Sequence, residues 1–445
     1  MTTLNRKPAK KNGRIIILVL LFAALAAAAW YVLRDTTPPA LTIAPEQGYL
    51  NADSVITITA MDEGVGLKRL SVRVLQDGKD RFSVDKSFPS AQRSHQESIQ
   101  LKGQPLADGP IEVAARADDH GFFLFSGSKE SRVTLILDTK SPRINMISTQ
   151  HNISQGGSAL VAFEVNEDLR ECGVEVGDWF FPAYRQENGT YLCLLGMPWD
   201  VAPAQFSPVI RAVDLAGNKS TRALPQHANA KHFRQDRLNL PESFLVSKGE
   251  LFKRVFPNDP ETDPLGRYIK INNELRKQNR DQLREIGLET APAPLWNGSF
   301  LRAAGATTAN FGDNRDYYYN GVAVDNQTHL GVDIANHQNS PIEAANDGKV
   351  VFAEFLGIYG ECVIIDHGLG LQSIYAHLSR IDVNVGDMIN KGQQVGLSGT
   401  TGLAGGDHLH FGMLVSGLPV QPREWWDAGW IAHNITPKLE SQSTQ

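Results

Sequence analysis

Residues 350–377 read VVFAEFLGIYGECVIIDHGLGLQSIYAH, three short apolar or alternating runs cut apart by glycines. The runs Val350–Phe355, Cys362–Asp366 and Gln372–Ala376 are too short for helices and rich in Val, Ile, Phe and Tyr. That combination predicts strands joined by tight turns. Outward from this block the pattern continues in Val395–Ser398 and Leu409–Val415. Turns at Asp347-Gly348, Gly368-Leu369-Gly370 and Asn390-Lys391-Gly392 predict antiparallel hairpins. No strand alternates with a helix-length stretch, so residues 296–437 are expected to form an all-β domain without βαβ units.

Histidines concentrate in this region. In His408-Leu409-His410 the two imidazoles stand two apart, and on a strand they share a face while Leu409 points into the core. His329 and Asp333 are four apart, but Gly331 between them argues for a loop followed by a strand rather than a helix. His377 follows the third run. Each element alone has an ordinary structural explanation. Together they offer two imidazoles and a carboxylate for a metal with an open position, with two histidines left over for proton handling. No H-E-x-x-H helix is present to supply a glutamate base.

The ordered set of these pieces resembles the lysostaphin-type zinc endopeptidases, the M23 peptidase family. The matching segments are Asn310-Phe311-Gly312, His329-Leu330-Gly331-Val332-Asp333, Asp347-Gly348-Lys349-Val350-Val351 and Tyr359-Gly360. Asp366-His367-Gly368, Tyr375-Ala376-His377-Leu378, Gly399-Thr400-Thr401-Gly402 and His408-Leu409-His410-Phe411 complete them. The resemblance implies one zinc ion held by His329, Asp333 and His410, with His377 and His408 as the non-ligand catalytic histidines. It implies hydrolysis of peptide crosslinks or stems in peptidoglycan, with D,D-endopeptidase activity as the specific expectation. Leu403-Ala404-Gly405-Gly406-Asp407 departs from the serine-threonine-glycine stretch of many relatives and removes none of the five site residues. The alternative is a non-catalytic envelope protein that binds wall peptide or activates another hydrolase.

The rest of the chain bounds where such chemistry would happen. Of 445 residues, 43 are basic and 49 acidic, and the net charge of −6 gives no broad basic field for nucleic acid. Arg6, Lys7, Lys10, Lys11 and Arg14 precede an uncharged run, 15–33. Its nineteen residues would make a helix of about 28 Å, matched to a bilayer core. The expectation is a basic cytoplasmic tail (1–14), a single transmembrane helix (15–33) anchoring the chain in the inner membrane, and an extracytoplasmic remainder. A cleaved signal peptide is the rival, with small residues at Ala26 to Ala29. Trp30 and Tyr31 read as interfacial anchors.

Between anchor and catalytic region, 36–137 and 138–222 are read as two β-sandwich modules. Asp35-Thr36-Thr37-Pro38-Pro39 and Asp138-Thr139-Lys140-Ser141-Pro142 open them at an offset of 103 residues. These openings resemble bacterial immunoglobulin-like modules. The turn Asp214–Asn218 is expected to bond its own backbone rather than a cation. Residues 223–295 break the strand pattern and are read as a helical linker, with a helix over 267–286 that uses Ile271, Leu275 and Ile286 for packing. Residues 438–445 are a tail. Cys172 and Cys193 are either a loop-spanning disulfide or two buried thiols, and Cys362 is a core thiol.

Overall fold

The computed structural model describes residues 12–33, 37–89, 92–121, 127–260 and 263–440. The basic residues Arg6, Lys7, Lys10 and Lys11 lie outside the described residues, as do the side chains of Arg14 and Tyr31. The first helix is Asn12–Leu33. Its described side chains run from 15 to 30 and are all exposed. Among the described residues no helix is long and apolar enough to cross a membrane, so the membrane-spanning expectation gains no support here.

The chain divides into two compact units, one of 1–141 with 214–218 and one of 142–213 with 219–445. In the first unit a three-stranded sheet (Ala40–Ala44, Val55–Met61, Ser94–Gln100) and a five-stranded sheet enclose one core. The five-stranded sheet runs Tyr49–Leu50, Ser128–Leu137, Gly109–Asp119, Leu67–Gln76, Lys79–Ser87. Alternation decides the inner faces: Ile56, Ile58 and Ala60 are buried from one sheet, and Leu70, Val72, Val74, Ile111 and Val113 from the other. The two-sheet layout by itself does not support the narrower immunoglobulin-like resemblance. Asp214 accepts from the Asn218 backbone N–H (2.8 Å) and from its side-chain Nδ2 (2.8 Å), which closes the turn on itself.

The second unit joins what the sequence separated. Residues 142–213 and 219–223 contribute two four-stranded sheets, and their core residues Val161, Leu194 and Ile210 belong to the same apolar cluster as Val363, Tyr375 and Phe411. That larger core lies under an eight-stranded antiparallel sheet. Its order is Ala306–Ala309, Val332–Ala335, Leu409–Val415, Leu371–Leu378, Glu361–Asp366, Gly348–Phe355, Met388–Ile389, with Leu418–Val420 beside Leu409–Val415. All five strands read from the sequence in this domain are present, and glycine turns join them.

Residues 223–295, read as a linker, form part of this unit. Gln235–Asn239 is a strand that pairs in parallel with Asn314–Tyr319. The expected helix is an α-helix at Pro264–Lys270, a π turn at Ile271–Leu275 and an α-helix at Arg276–Ile286. Asp263 caps its start by accepting from the Gly266 N–H. Ile271, Leu275 and Leu283 are buried in one cluster with Ile364, Ile374 and Leu414 from the sheet, so the helix packs on the face of the sheet that also carries His410. Cys172, Cys193 and Cys362 are all free and buried. Burial pushes the Cys172 thiol up to about 12.

Candidate metal centre and active-site cleft

Three neighbouring strands deliver the site. Asp333 pairs with His410 across one strand boundary, and His410 pairs with Ala376 across the next. Directly opposed residues share a face, so Asp333 and His410 emerge side by side. His329 arrives from the loop before Val332–Ala335, held because its backbone N–H donates to the Asp313 carbonyl (2.9 Å). Gly331 makes the approach possible: a Cβ there would lie 2.5 Å from both Cε1 and Nε2 of His410.

The donor atoms converge. His329 Nε2 lies 2.9 Å from Asp333 Oδ1 and 3.0 Å from His410 Nδ1, and His410 Nδ1 lies 2.9 Å from Asp333 Oδ1. The edge of a tetrahedral zinc site with these ligands is about 3.3 Å, so the triangle is nearly the right size already. The tautomers also fit. His329 Nδ1 faces the Asn310 carbonyl at 2.9 Å, and a carbonyl only accepts, so the proton sits on Nδ1 and Nε2 keeps its lone pair. His410 turns Nδ1 toward Asp333 and His329, and its Nε2 is buried without a hydrogen-bond partner among the described residues.

His377 reaches the site by a backbone irregularity. Its neighbour Ala376 opposes His410, so in a regular strand His377 would face away. Instead the register slips between Glu361 and Val363 on the adjoining strand, and His377 has φ 63°. This left-handed residue at a bulge turns the imidazole toward the cleft, with its ring 4.8 Å from that of His408 and 5.8 Å from that of His410. His377 Nδ1–H donates to the Thr401 carbonyl (2.9 Å), and His408 Nδ1–H to the Gly406 carbonyl (2.8 Å). Both rings therefore keep Nε2 free, and that of His408 lies 3.6 Å from Asp333 Oδ1.

Electrostatics follow from burial and pairing. Burial acts to raise the Asp333 carboxyl, but the surrounding histidines outweigh it and hold the group well below the usual carboxylate range. Burial lowers His377 well below the ordinary imidazole value and takes His410 down to about 4. Burial also opposes the charged form of His408, yet the nearby Asp333 carboxylate leaves the net shift upward. Arg315 Nη2 donates to the other Asp333 oxygen, Oδ2, at 3.0 Å. The carboxylate is thus fixed from behind while Oδ1 faces the histidines.

Asn310 and Tyr359 lie in segments matched in the sequence, though without their contacts, and Lys248 was not singled out there. The Tyr359 ring packs 5.6 Å from that of His410. Lys248, in the segment read as a linker, is buried, and its ammonium donates to the carbonyls of Gly402 (3.2 Å) and Ala404 (2.6 Å). It pins the loop whose Thr401 carbonyl orients His377. Lys248→Met should leave two carbonyls without their donor, at a cost of about 1–3 kcal/mol. The expected result is a kcat about tenfold lower with bound metal unchanged, read by steady-state kinetics beside metal analysis. His367 stays structural: its Nδ1–H donates to the Asp347 carbonyl (2.7 Å), and Nε2 meets the Ser373 hydroxyl (2.8 Å). His337 is exposed at the rim, and the buried Tyr375 hydroxyl accepts from the Ala345 N–H.

The five residues line a cavity of about 400 Å³. Its walls include Leu240, Phe244, Tyr268 and Leu403, together with Arg276, Arg280 and Arg315. A His-Asp-His donor set in a sheet-walled cleft, with two further imidazoles beside it, is a group that could hold a metal ion. Residues 327–422 match the model of Peptidase family M23. The chain is 38% identical over 94 residues to the DD-carboxypeptidase/endopeptidase Mpg of Neisseria meningitidis serogroup B, covering 21% of this chain and 22% of that protein. It is 40% identical over 92 residues to the peptidoglycan DD-endopeptidase ShyA of Vibrio cholerae, covering 21% of each. These matches span about a fifth of the relatives' length. The catalytic domain of lysostaphin from Staphylococcus simulans is 28% identical over 27% of this chain and 92% of that domain, with a TM-score of 0.24.

Proposed function

We propose that this protein is a zinc-dependent endopeptidase that opens the peptide crosslinks of peptidoglycan, with the D,D-bond as its target. The observation that carries this reading is the triangle of His329 Nε2, Asp333 Oδ1 and His410 Nδ1, with edges of 2.9–3.0 Å, beside two imidazoles that are not part of it. The relatives' names supply the substrate class, and the absence of paired carboxylates at glycosidase spacing in this donor set points the same way.

Zinc held by His329, Asp333 and His410 would supply Lewis acidity toward the scissile carbonyl and lower the pKa of a water. The protein's own residues do the rest. Arg315 holds Asp333 so that one oxygen is kept for the metal. The Asn310 carbonyl fixes the His329 tautomer. His377 and His408 present two Nε2 atoms to the cleft, enough to take a proton from the attacking water and return one to the leaving amine. The Leu240 and Phe244 wall excludes bulk water from one side of the cleft.

The same proposal places the enzyme at the inner membrane with its catalytic unit outside the cytoplasm. Its support is the sequence alone, five basic residues followed by nineteen uncharged ones. Digestion of isolated sacculi by the zinc-loaded chain tests the activity. Soluble muropeptides whose masses show opened D,D-crosslinks are expected. Intact sacculi with one zinc bound per chain would instead favour a binding or activating role.

A further inference from the structure

The cavity carries more positive charge than the metal centre uses. Three guanidiniums line it, those of Arg276, Arg280 and Arg315, against the single carboxylate of Asp333. Arg315 is taken up by Asp333. Arg276 and Arg280 stand one turn apart on the helix Arg276–Ile286, where like charges repel. Arg276 is held in place by its own helix: Nε donates to the Asn272 carbonyl (3.1 Å) and Nη2 to Asn272 Oδ1 (2.6 Å). Asn272 in turn donates to Asp325 (2.7 Å). Arg280 has no hydrogen bond or ion pair among the described residues, and Arg276, Tyr359, Asp281 and Asp200 act on it only at a distance. Both arginines are half-buried.

A partly desolvated cation without a counterion is costly unless a ligand supplies one. The π turn at Ile271–Leu275 lies directly before this pair, and such insertions are frequent at functional sites. A planar guanidinium fork matches a carboxylate with two parallel hydrogen bonds. We infer that Arg280, aided by Arg276, is a specificity-determining residue that binds a free carboxylate of the peptide substrate and so seats the scissile bond over the metal centre. This rests on the peptidase reading above and adds to it the charge of the substrate. The helix once read as a connector then forms the anion-binding wall of the cleft.

The test compares two purified crosslinked muropeptide dimers, one with free carboxylates and one with the same carboxylates amidated. An uncrosslinked stem peptide in both forms measures binding by calorimetry on the zinc-loaded full chain. The free-carboxylate forms should be favoured at least about tenfold in kcat/KM, through KM, and in affinity. In Arg280→Met that ratio should fall to near one, while Arg280→Lys, which keeps the charge but loses the fork, should retain part of it. The wild-type comparison needs no variant to fold. Equal binding of free and amidated stem peptide by the wild type, or a ratio that survives Arg280→Met, overturns the inference. Cleavage of both dimers at one rate defeats the carboxylate contact and leaves the peptidase reading standing. Selective binding without cleavage of either dimer supports the contact and defeats the peptidase reading.

Discussion

His410→Ala should empty the proposed metal centre and stop turnover. Among the described residues His410 Nδ1 is one of three converging donor atoms, and the other two lie within 3.0 Å of it. Two protein ligands do not hold zinc against competing water, because catalytic sites of this kind use three. Metal content should fall from about one per chain to below about a tenth of that, and kcat/KM by about a thousandfold or more. The fold should survive. Leu409–Val415 stays hydrogen-bonded to Val332–Ala335 on one side and Leu371–Leu378 on the other, and those bonds are made by backbone. The informative contrast is His377→Ala. It should cut turnover to a similar depth while keeping zinc, since His377 is held by the Thr401 carbonyl and stands outside the donor triangle. Metal analysis by atomic spectroscopy on both variants, beside near-UV circular dichroism, separates the two roles. Full activity in His410→Ala would remove the assignment of that residue as a ligand.

The parts of this site that could be read from sequence are those fixed by strand periodicity and by residue chemistry. His408-Leu409-His410 put two imidazoles on one face because a strand repeats every two residues, and Leu409 is indeed buried beneath them. The glycine-broken runs announced antiparallel strands for the same reason. His377 obeys no such rule. Its place depends on a bulge and a positive φ, which are set by the slipped register against Glu361 and Val363 and have no local signal in Tyr375-Ala376-His377-Leu378. Lys248 and Arg280 were beyond reach for another reason. Each lies more than eighty residues from one of its functional neighbours, Ala404 for Lys248 and His377 for Arg280, and charge on a helical stretch looks like solvated surface until its partner surface is known. The shared core explains why residues 142–213 and 223–295 read as separate pieces. Apolar periodicity shows that a face will be buried but not against what, and here Val161 and Ile271 are buried in clusters that include residues of the catalytic sheet.

Gly331→Ala is expected to damage the site almost as severely as removal of a ligand, without touching a ligand. An added Cβ would stand 2.5 Å from Cε1 and Nε2 of His410 and 2.8 Å from the Phe411 carbonyl oxygen. The backbone has little room to relieve this, because Val332 and Asp333 on one strand are paired to Phe411 and His410 on the other. The soft coordinate is the imidazole, which must swing away and take Nδ1 out of the donor triangle. Tyr359 and His377 already pack against that ring, with centroids at 5.6 and 5.8 Å, so the swing meets further side chains. Zinc affinity should weaken by about a hundredfold or more, measured by competition with a chelator, and turnover at ordinary zinc should fall with it. Gly249→Ala is the matched control: its added Cβ would meet only the end of Arg267, at 3.9 Å. A Gly331→Ala protein that binds zinc as tightly as the wild type would mean that the His410 ring does not occupy the position that makes it a ligand. The three-donor centre, and every step built on it, would then have to be redrawn.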